Sequence, residues 1–258
     1  MLKVRVIPTI LMNNFSVVKG VSFNSWRVVG TLLPLIKIYN RREVDELVLL
    51  DIAASNEKRE PDYEIIKDIS SECFVPLTVG GGISHIDHVT KLLRAGADKV
   101  CINSFAYINS SLITEVASLY GNQCVVVGID ALKLEDGSYE CVRNSGTIKT
   151  GIKVDEWAKY VEEIGAGEII ITSIQNDGNM NGYDIELIKL VTEAVNIPVI
   201  ASGGAGNFNH FYEAILEAKA SAVAAASIFS FTQQTPKEVK DYLASKDIPV
   251  RNINIEKV

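Results

Sequence analysis

The stretch DELVLLDI (residues 45–52) returns as GEIIITSI (167–174), with Glu168 standing 122 residues after Glu46. VPLTVGGG (75–82) returns as IPVIASGGAG (197–206), and Pro198 stands the same 122 residues after Pro76. Two matches at one offset imply two copies of a unit about half the chain long. Eight short apolar, β-branched runs carry the pattern: KVRVIPTI, ELVLLDI, VPLTVGG, KVCINS, CVVVGIDA, EIIITSI, PVIASGG and AVAAAS. Amphipathic stretches such as IDHVTKLLRAGA and VDEWAKYVEEIGAG separate them, with apolar residues at helical spacing. Near-continuous apolar strands alternating with helices give a parallel sheet covered by helices. Eight such units close on themselves, so the expected fold is α/β: a single (β/α)8 TIM barrel over residues 1–258, built from two half-barrels.

Charge narrows the partners. A net charge of −7 argues against nucleic acid or an anionic membrane, although a local cationic pocket for phosphates is compatible with it. No apolar run approaches membrane-spanning length and the start of the chain lacks a signal-peptide pattern, so a cytoplasmic location is expected. Cys73, Cys101, Cys124 and Cys141 include no C-x-x-C pair, and Cys101 and Cys124 lie in strand-like runs, as core thiols do. His85 and His88 share a helix face, with Ser84 placed as N-cap and Asp87 in the first turn; two ligands do not make a zinc site. His210 falls at another helix start as a structural residue. Neither a metal nor a cofactor is expected.

The chemistry of such a barrel sits at the C-terminal ends of its strands. Glycines cluster there, at Gly80–Gly82, Gly178 and Gly203–Gly204, with Ser104 and Ser227 beside them. Backbone amides freed by glycine, aided by helix N-termini, suit oxyanions, and one cluster in each half suits a ligand with two phosphates. The strand-end carboxylates are Asp51, Asp130 and Asp177. Asp130 lies in the apolar run VVVGIDA, where burial would raise its pKa and suit it to acid–base work. Asp51 is open to a structural role on a loop backbone, and Asp177 to orienting an Asn-Asp-Gly turn. Aligning VIPTIL on VVVGID makes Leu11 the half-barrel counterpart of Asp130, so position 11 should face the pocket with a side chain that cannot carry a proton. At the opposite end, Arg5, Glu46, Lys99 and Glu168 stand where four strands enter the barrel. Two positive and two negative charges would neutralise one another there, as a seal or as a gate. The polar stretch Leu132–Thr150, which follows the fifth run, reads as a long hairpin-like loop.

From end to end the chain resembles the cyclase subunit of imidazole glycerol phosphate synthase. The matching stretches are VVKGVSF (17–23), DELVLLDI, PLTVGGGI (76–83), GADKVCINS (96–104), GAGEIIITS (165–173), NGYD (181–184), NIPVIASGGAG (196–206) and the closing IPVR (248–251). The resemblance implies that ammonia from a glutaminase subunit enters at the N-terminal face and reacts at the C-terminal face. It puts Arg5, Glu46, Lys99 and Glu168 on gate positions and Asp98 on the glutaminase-docking position. Lys19 matches a mobile first-loop lysine, and Gly82, Asn103, Ser104, Gly178, Gly204, Ala226 and Ser227 match phosphate-site positions. Three departures stand out. Leu11 replaces an aspartate that works opposite the one matching Asp130, Asn14-Phe15 replaces an Asp-Gly turn, and Gln175 replaces an acid. An intact conduit with an altered chemical end is similar to the paralogous branch that serves acetamidino-sugar synthesis for surface polysaccharides. There the pair supplies ammonia to a separate amidotransferase acting on a nucleotide-linked sugar. A histidine-pathway cyclase and a non-catalytic scaffold that activates its glutaminase are the competing readings.

Overall fold

A computed structural model describes residues 3–251. Strand β1 (Arg5–Asn13) runs into an antiparallel hairpin, β2 (Ser16–Val21) and β3 (Asn24–Thr31), and then helix α1 (Leu32–Arg41). Three strand–helix units follow: β4 (Leu47–Asp51) with α2 (Tyr63–Glu72), β5 (Leu77–Gly80) with α3 (Ile86–Arg94), and β6 (Lys99–Ile102) with α4 (Ser111–Tyr120). The second half repeats the plan. β7 (Val125–Lys133) continues into the hairpin β8 (Tyr139–Arg143) and β9 (Ile148–Lys153), then α5 (Val154–Glu163). β10 (Glu168–Ser173), α6 (Ile185–Thr192), β11 (Val199–Ser202), α7 (Phe208–Leu216), β12 (Ala222–Ala225), α8 (Ser227–Phe231) and α9 (Pro236–Ser245) complete it. Strands β1, β4, β5, β6, β7, β10, β11 and β12 pair in parallel in that order, and β12 closes on β1. The fold is the (β/α)8 barrel.

Successive side chains of a strand point to opposite faces of the sheet, and the closed sheet turns this into an inside and an outside. Val6, Ile10, Met12, Leu47, Leu49, Val100, Ile102, Val125, Val127 and Ile129 pack in the large core beneath the helices. The residues between them, Ile7, Val48, Cys101, Val126, Ile170 and Ile200, join Ala222 and Ala224 in a separate apolar cluster that fills the barrel.

The strand register places the two halves on one another. Leu11 pairs with Leu50 across β1 and β4, whereas Asp130 pairs with Thr172 across β7 and β10. Thr172 lies 122 residues after Leu50, so Leu11 and Asp130 occupy equivalent positions.

Several local expectations change. Cys124 ends a short 3-10 turn, Asn122–Cys124, rather than lying in a strand, since β7 begins only at Val125. The N-cap of α3 is His85, not Ser84, and it makes no side-chain cap bond. The β2–β3 hairpin has no counterpart among the eight expected strands. Its two-residue turn, Ser22-Phe23, takes left-handed backbone at φ 48° and 60°, where such turns normally carry Asn or Gly. No helix among the described residues is long and apolar enough to cross a membrane.

Helix α9 is anchored to the barrel floor by charge. Thr235 and Glu238 form a capping box with Pro236 in the first turn. The fully buried Lys240 reaches Asp45 Oδ1 at 3.2 Å, while Asp45 Oδ2 accepts the amide of Val6 at 2.9 Å. Removing one member leaves the other charge buried without a partner. Asp45→Ala is therefore expected to cost about 3–5 kcal/mol in urea unfolding. A change below about 1 kcal/mol would show that water replaces the carboxylate.

Candidate active site

Every second residue along a barrel strand faces inward, so the two ends of the barrel are connected by columns. Arg5, Ile7, Thr9 and Leu11 make one column; Lys99, Cys101 and Asn103 make another; Glu168, Ile170 and Thr172 a third. At about 3.3 Å per residue, Lys99 and Asn103 stand roughly 13 Å apart along the strand.

The floor is a closed ring of charge. Arg5 pairs with Glu46 at 2.7 Å and with Glu168; Lys99 pairs with Glu46 at 3.1 Å and with Glu168 at 2.8 Å. Cations and anions alternate around it. Thr78, fully buried on β5, donates its hydroxyl to Glu46 Oε1 at 2.8 Å. Burial disfavours the charge on Arg5 and on Glu168, but their partners outweigh it: the Arg5 pKa is raised and the Glu168 pKa is lowered. Both ends of the ring stay ionised. Asp98 is exposed next to Lys99, and its carboxylate accepts the amide of Leu77 at 2.8 Å.

The opposite end holds a cavity at the C-terminal ends of the strands. Leu11 and Asp130 line it, together with Asp51, Gly82, Asn103, Ser104, Asp177, Gly178, Gly204, Ala226 and Ser227. Among the described residues, the charged ones that line it are the three aspartates, with no lysine, arginine or histidine. The described lining thus offers no cationic side chain to a phosphate. Any phosphate here would rest on backbone amides and hydroxyls. The glycines also have a reason of their own. At Gly82 (φ 71°) a Cβ would fall 2.4 Å from the Arg59 carbonyl, and at Gly204 (φ 111°) 2.1 Å from that of Gly182. Backbone packing demands glycine at both places, whatever binds.

The three aspartates differ in what surrounds them. Asp51 Oδ1 accepts the amides of Ala53 and Ala54 at 3.0 and 3.1 Å, and Arg59 holds Oδ2 at 3.1 Å. This is the loop-ordering arrangement, with Arg59 a partner that sequence reasoning missed. Asp177 is pushed up by burial, against the opposing charge of Lys19. Asp130 accepts one side-chain bond, from Asn103 Nδ2 at 2.9 Å. Burial, with a contribution from Asp177, outweighs that bond and pushes its carboxyl up to about 7. Beside it, burial and the Asp130 charge push the Cys101 thiol up to about 12, so it stays a neutral wall residue.

Lys19 sits in the connection between the first barrel strand and α1, which folds as the β2–β3 hairpin. It lies in β2, almost fully buried, and donates to the Thr9 carbonyl at 3.0 Å; burial brings its pKa down to about 8 despite the nearby charge of Asp177. The hairpin that carries it bends over the cavity, and Phe23 and Trp26 join the lining. Its strained tip is held by the Ser22 amide donating to the Asp177 carbonyl at 2.8 Å and by Asn179 reaching the Ser22 hydroxyl at 3.3 Å. The β8–β9 hairpin of the other half closes on the strand ends of the first: the amide of Asn144 donates to the Ser104 hydroxyl at 3.0 Å, and Ser145 donates to the Ile52 carbonyl at 3.0 Å.

Two of the three departures fall outside the cavity. Phe15 is 70% exposed beyond the β1 tip. Gln175 bonds both ways with the Lys133 backbone, Oε1 accepting its amide and Nε2 donating to its carbonyl, each at 2.9 Å. It extends the β7 edge as a strand residue would. Leu11 alone changes the wall.

Asp130 makes stability depend on pH. Its folded pKa is raised, so the folded state binds a proton that the unfolded state has released between about pH 4 and 7. Stability is lost as pH climbs through that window, by an amount on the order of a few kcal/mol, and levels off above it. Asp130→Asn should flatten this slope, making the variant more stable than the parent at pH 8 and equal to it near pH 4. Parallel urea curves for both proteins at every pH would contradict a buried, uncompensated carboxyl.

A family model described as Histidine biosynthesis protein matches residues 5–235 of the chain.

Proposed function

Since the chain belongs to the histidine biosynthesis protein family of barrels, we propose that it receives ammonia from a glutaminase subunit at its N-terminal face and conducts it through the barrel. In this reading the nitrogen is used to form an acetamidino group on a nucleotide-linked sugar for surface polysaccharide. A separate amidotransferase carries out that step. The observation that carries the reading is the alignment of three layers on the same inward columns. A neutralised ring of charge closes the floor, an apolar cluster fills the middle, and a cavity lined by Leu11 and three aspartates forms the top. The apolar middle suits a small neutral molecule and rejects ions. The exposed Asp98, beside the ring, is the proposed glutaminase contact. A phosphorylated ligand would sit at the C-terminal face against Gly82, Asn103 and Ser104 on one side and Gly178, Gly204, Ala226 and Ser227 on the other.

Glu46→Ala and Lys99→Ala test the conduit. Each should lower glutamine-dependent turnover of the assembled system far more than turnover with added ammonium salt. Equal loss with both nitrogen sources would mean that the ring only holds the barrel together.

The second reading, a cyclase of histidine biosynthesis, is favoured by Asp130, whose carboxyl near neutrality suits proton transfer. A positioned carboxylate is worth roughly 10²–10⁴-fold in rate, and Leu11 supplies none of it. Cyclase turnover with free ammonia is expected to lie at least about 10²-fold below that of a barrel with both acids. Leu11→Asp should recover part of the difference, because the two acids would act as a unit. Full turnover by the unaltered chain would favour the cyclase reading outright.

A further inference from the structure

We infer that His88 couples anion binding at the Gly82 loop to uptake of a proton, and that His210, its equivalent in the other half-barrel, holds its loop without doing so. Each histidine stands in the first turn of a helix that follows a glycine pair: α3 after Gly81–Gly82 and α7 after Gly203–Gly204. Gly206 and His210 lie 122 residues after Ser84 and His88, the offset of the two half-barrels. The contact repeats with the sequence. The Ser84 amide donates to His88 Nδ1 at 3.4 Å, and the Gly206 amide donates to His210 Nδ1 at 3.1 Å. A ring nitrogen that accepts a bond carries no proton, so each glycine loop is tied down by an unprotonated Nδ1.

The two rings differ in what a further proton would meet. His88 Nδ1 also lies 3.2 Å from the Gly82 carbonyl oxygen. Unprotonated, it accepts from Ser84; protonated, it can donate to Gly82 instead. Its Nε2 stands 3.8 Å from Glu60 Oε1, so an opposite charge faces the other side of the ring. Lys91 shares the Glu60 carboxylate at 3.6 Å, and the Tyr63 hydroxyl donates to it at 3.1 Å. The His85 ring meets His88 edge-on at 5.6 Å, and Asp87 precedes it in the first turn of α3. At His210 both nitrogens face donors, the Gly206 amide at Nδ1 and Asn207 Nδ2 at Nε2, the latter at 3.0 Å. The Asn207 side chain is held that way round by its helix cap, since its Oδ1 accepts the amides of Asn209 and His210 at 2.9 and 3.2 Å. Among the described residues no carbonyl oxygen bonds to the His210 ring.

A proton on His88 places a positive charge behind Gly82, at a cavity whose described lining offers no cationic side chain. Its bond to the Gly82 carbonyl also polarises the peptide that joins Gly82 to Ile83, both of which line the cavity. An anion against this loop therefore favours the protonated ring, and by linkage the protonated ring favours the anion. The coupling rests on the phosphate reading above; the exchange of partners from Ser84 to Gly82 rests on the geometry alone.

The test uses the unaltered barrel, with sodium sulfate as the probe and sodium chloride at the same ionic strength as the comparison. Sulfate keeps its charge across the range in which an imidazole changes protonation, so a proton taken up on binding goes to the protein. Nitrogen-15 NMR reads the three rings, assigned by His85→Gln and His210→Gln, with His88 by elimination. Without sulfate, acidification should move the Ser84 amide signal in step with the His88 ring as their bond is exchanged. At about pH 7, saturating sulfate should convert the His88 ring towards imidazolium, while chloride leaves it in place and His210 does not follow. His88→Gln, which can meet the loop but carries no charge, should bind sulfate about tenfold more weakly than the unaltered chain at about pH 6 and equally at about pH 8. A histidine that only held the loop in shape would weaken binding at both. A Ser84 amide that ignores protonation of His88 would overturn the exchange of partners. Sulfate that binds without changing the His88 ring, or that changes His210 as much, would overturn the coupling. If no amide of either loop responds to sulfate, the phosphate reading falls and the coupling falls with it. The ring measurements do not depend on whether His88→Gln folds.

Discussion

Closure of the parallel sheet fixes more of this molecule than any single bond. Once β12 pairs with β1, no strand can slip by one residue without turning its inward side chains outward. The columns follow from that constraint. Arg5 and Leu11 lie on one face of one strand, as do Lys99 and Asn103, so the charge at the floor and the wall of the cavity share a register. The apolar residues between them, Ile7 and Cys101, are confined to the interior by the same alternation. Floor, filling and cavity are thus one arrangement read at three heights.

The two ends of the barrel treat buried charge in opposite ways. At the floor, each cation of the ring touches two anions and each anion two cations, and Thr78 satisfies a further lone pair of Glu46. Desolvation is offset by contact, as it must be for charges to remain ionised away from water. At the cavity, Asp51 is satisfied by two amides and Arg59, whereas Asp130 and Asp177 are left with raised pKa values. The stabilised end is closed and the uncompensated end is open to ligands. Uncompensated charge is where perturbed titration and function tend to coincide.

How much of this was legible in the chain depends on whether the signal was periodic. The eight barrel strands, the half-barrel offset and the inward position of Leu11 all rest on alternation and repetition, which survive in a single sequence. The four ring residues were visible because charge at the start of an apolar strand breaks the pattern. The β2–β3 hairpin was not visible: β3 is largely exposed, and its turn carries Ser22-Phe23 where Asn or Gly would have announced it. Burial of Lys19 followed that omission, since the hairpin folds it in against Thr9 and Asp177. Arg59 escaped notice because its bond to Asp51 joins a loop to a strand end eight residues away, a spacing with no periodic signature. Glycines told less than their clustering suggested, for backbone contact at Gly82 and Gly204 would require them in an empty barrel.

The departures at positions 11, 15 and 175 look alike in the chain and separate in space. Phe15 ends in solvent, and Gln175 spends both halves of its amide on the Lys133 backbone. An acid at position 175 could accept the Lys133 amide but could not donate to its carbonyl while ionised, so the glutamine is explained by the edge of β7. Leu11 has no such local reason. It occupies the place that the register makes equivalent to Asp130, and the aspartate that would fill it would face a carboxyl already pushed up to about 7 by burial. A second acid on the same low-dielectric wall would raise that value further, because two like charges resist ionising together. Leucine instead leaves Asp130 with one side-chain partner among the described residues, Asn103, and an apolar side chain at the equivalent position of the other half. The two half-barrels thus differ at this pair of equivalent positions, a leucine in one and a titrating carboxyl in the other.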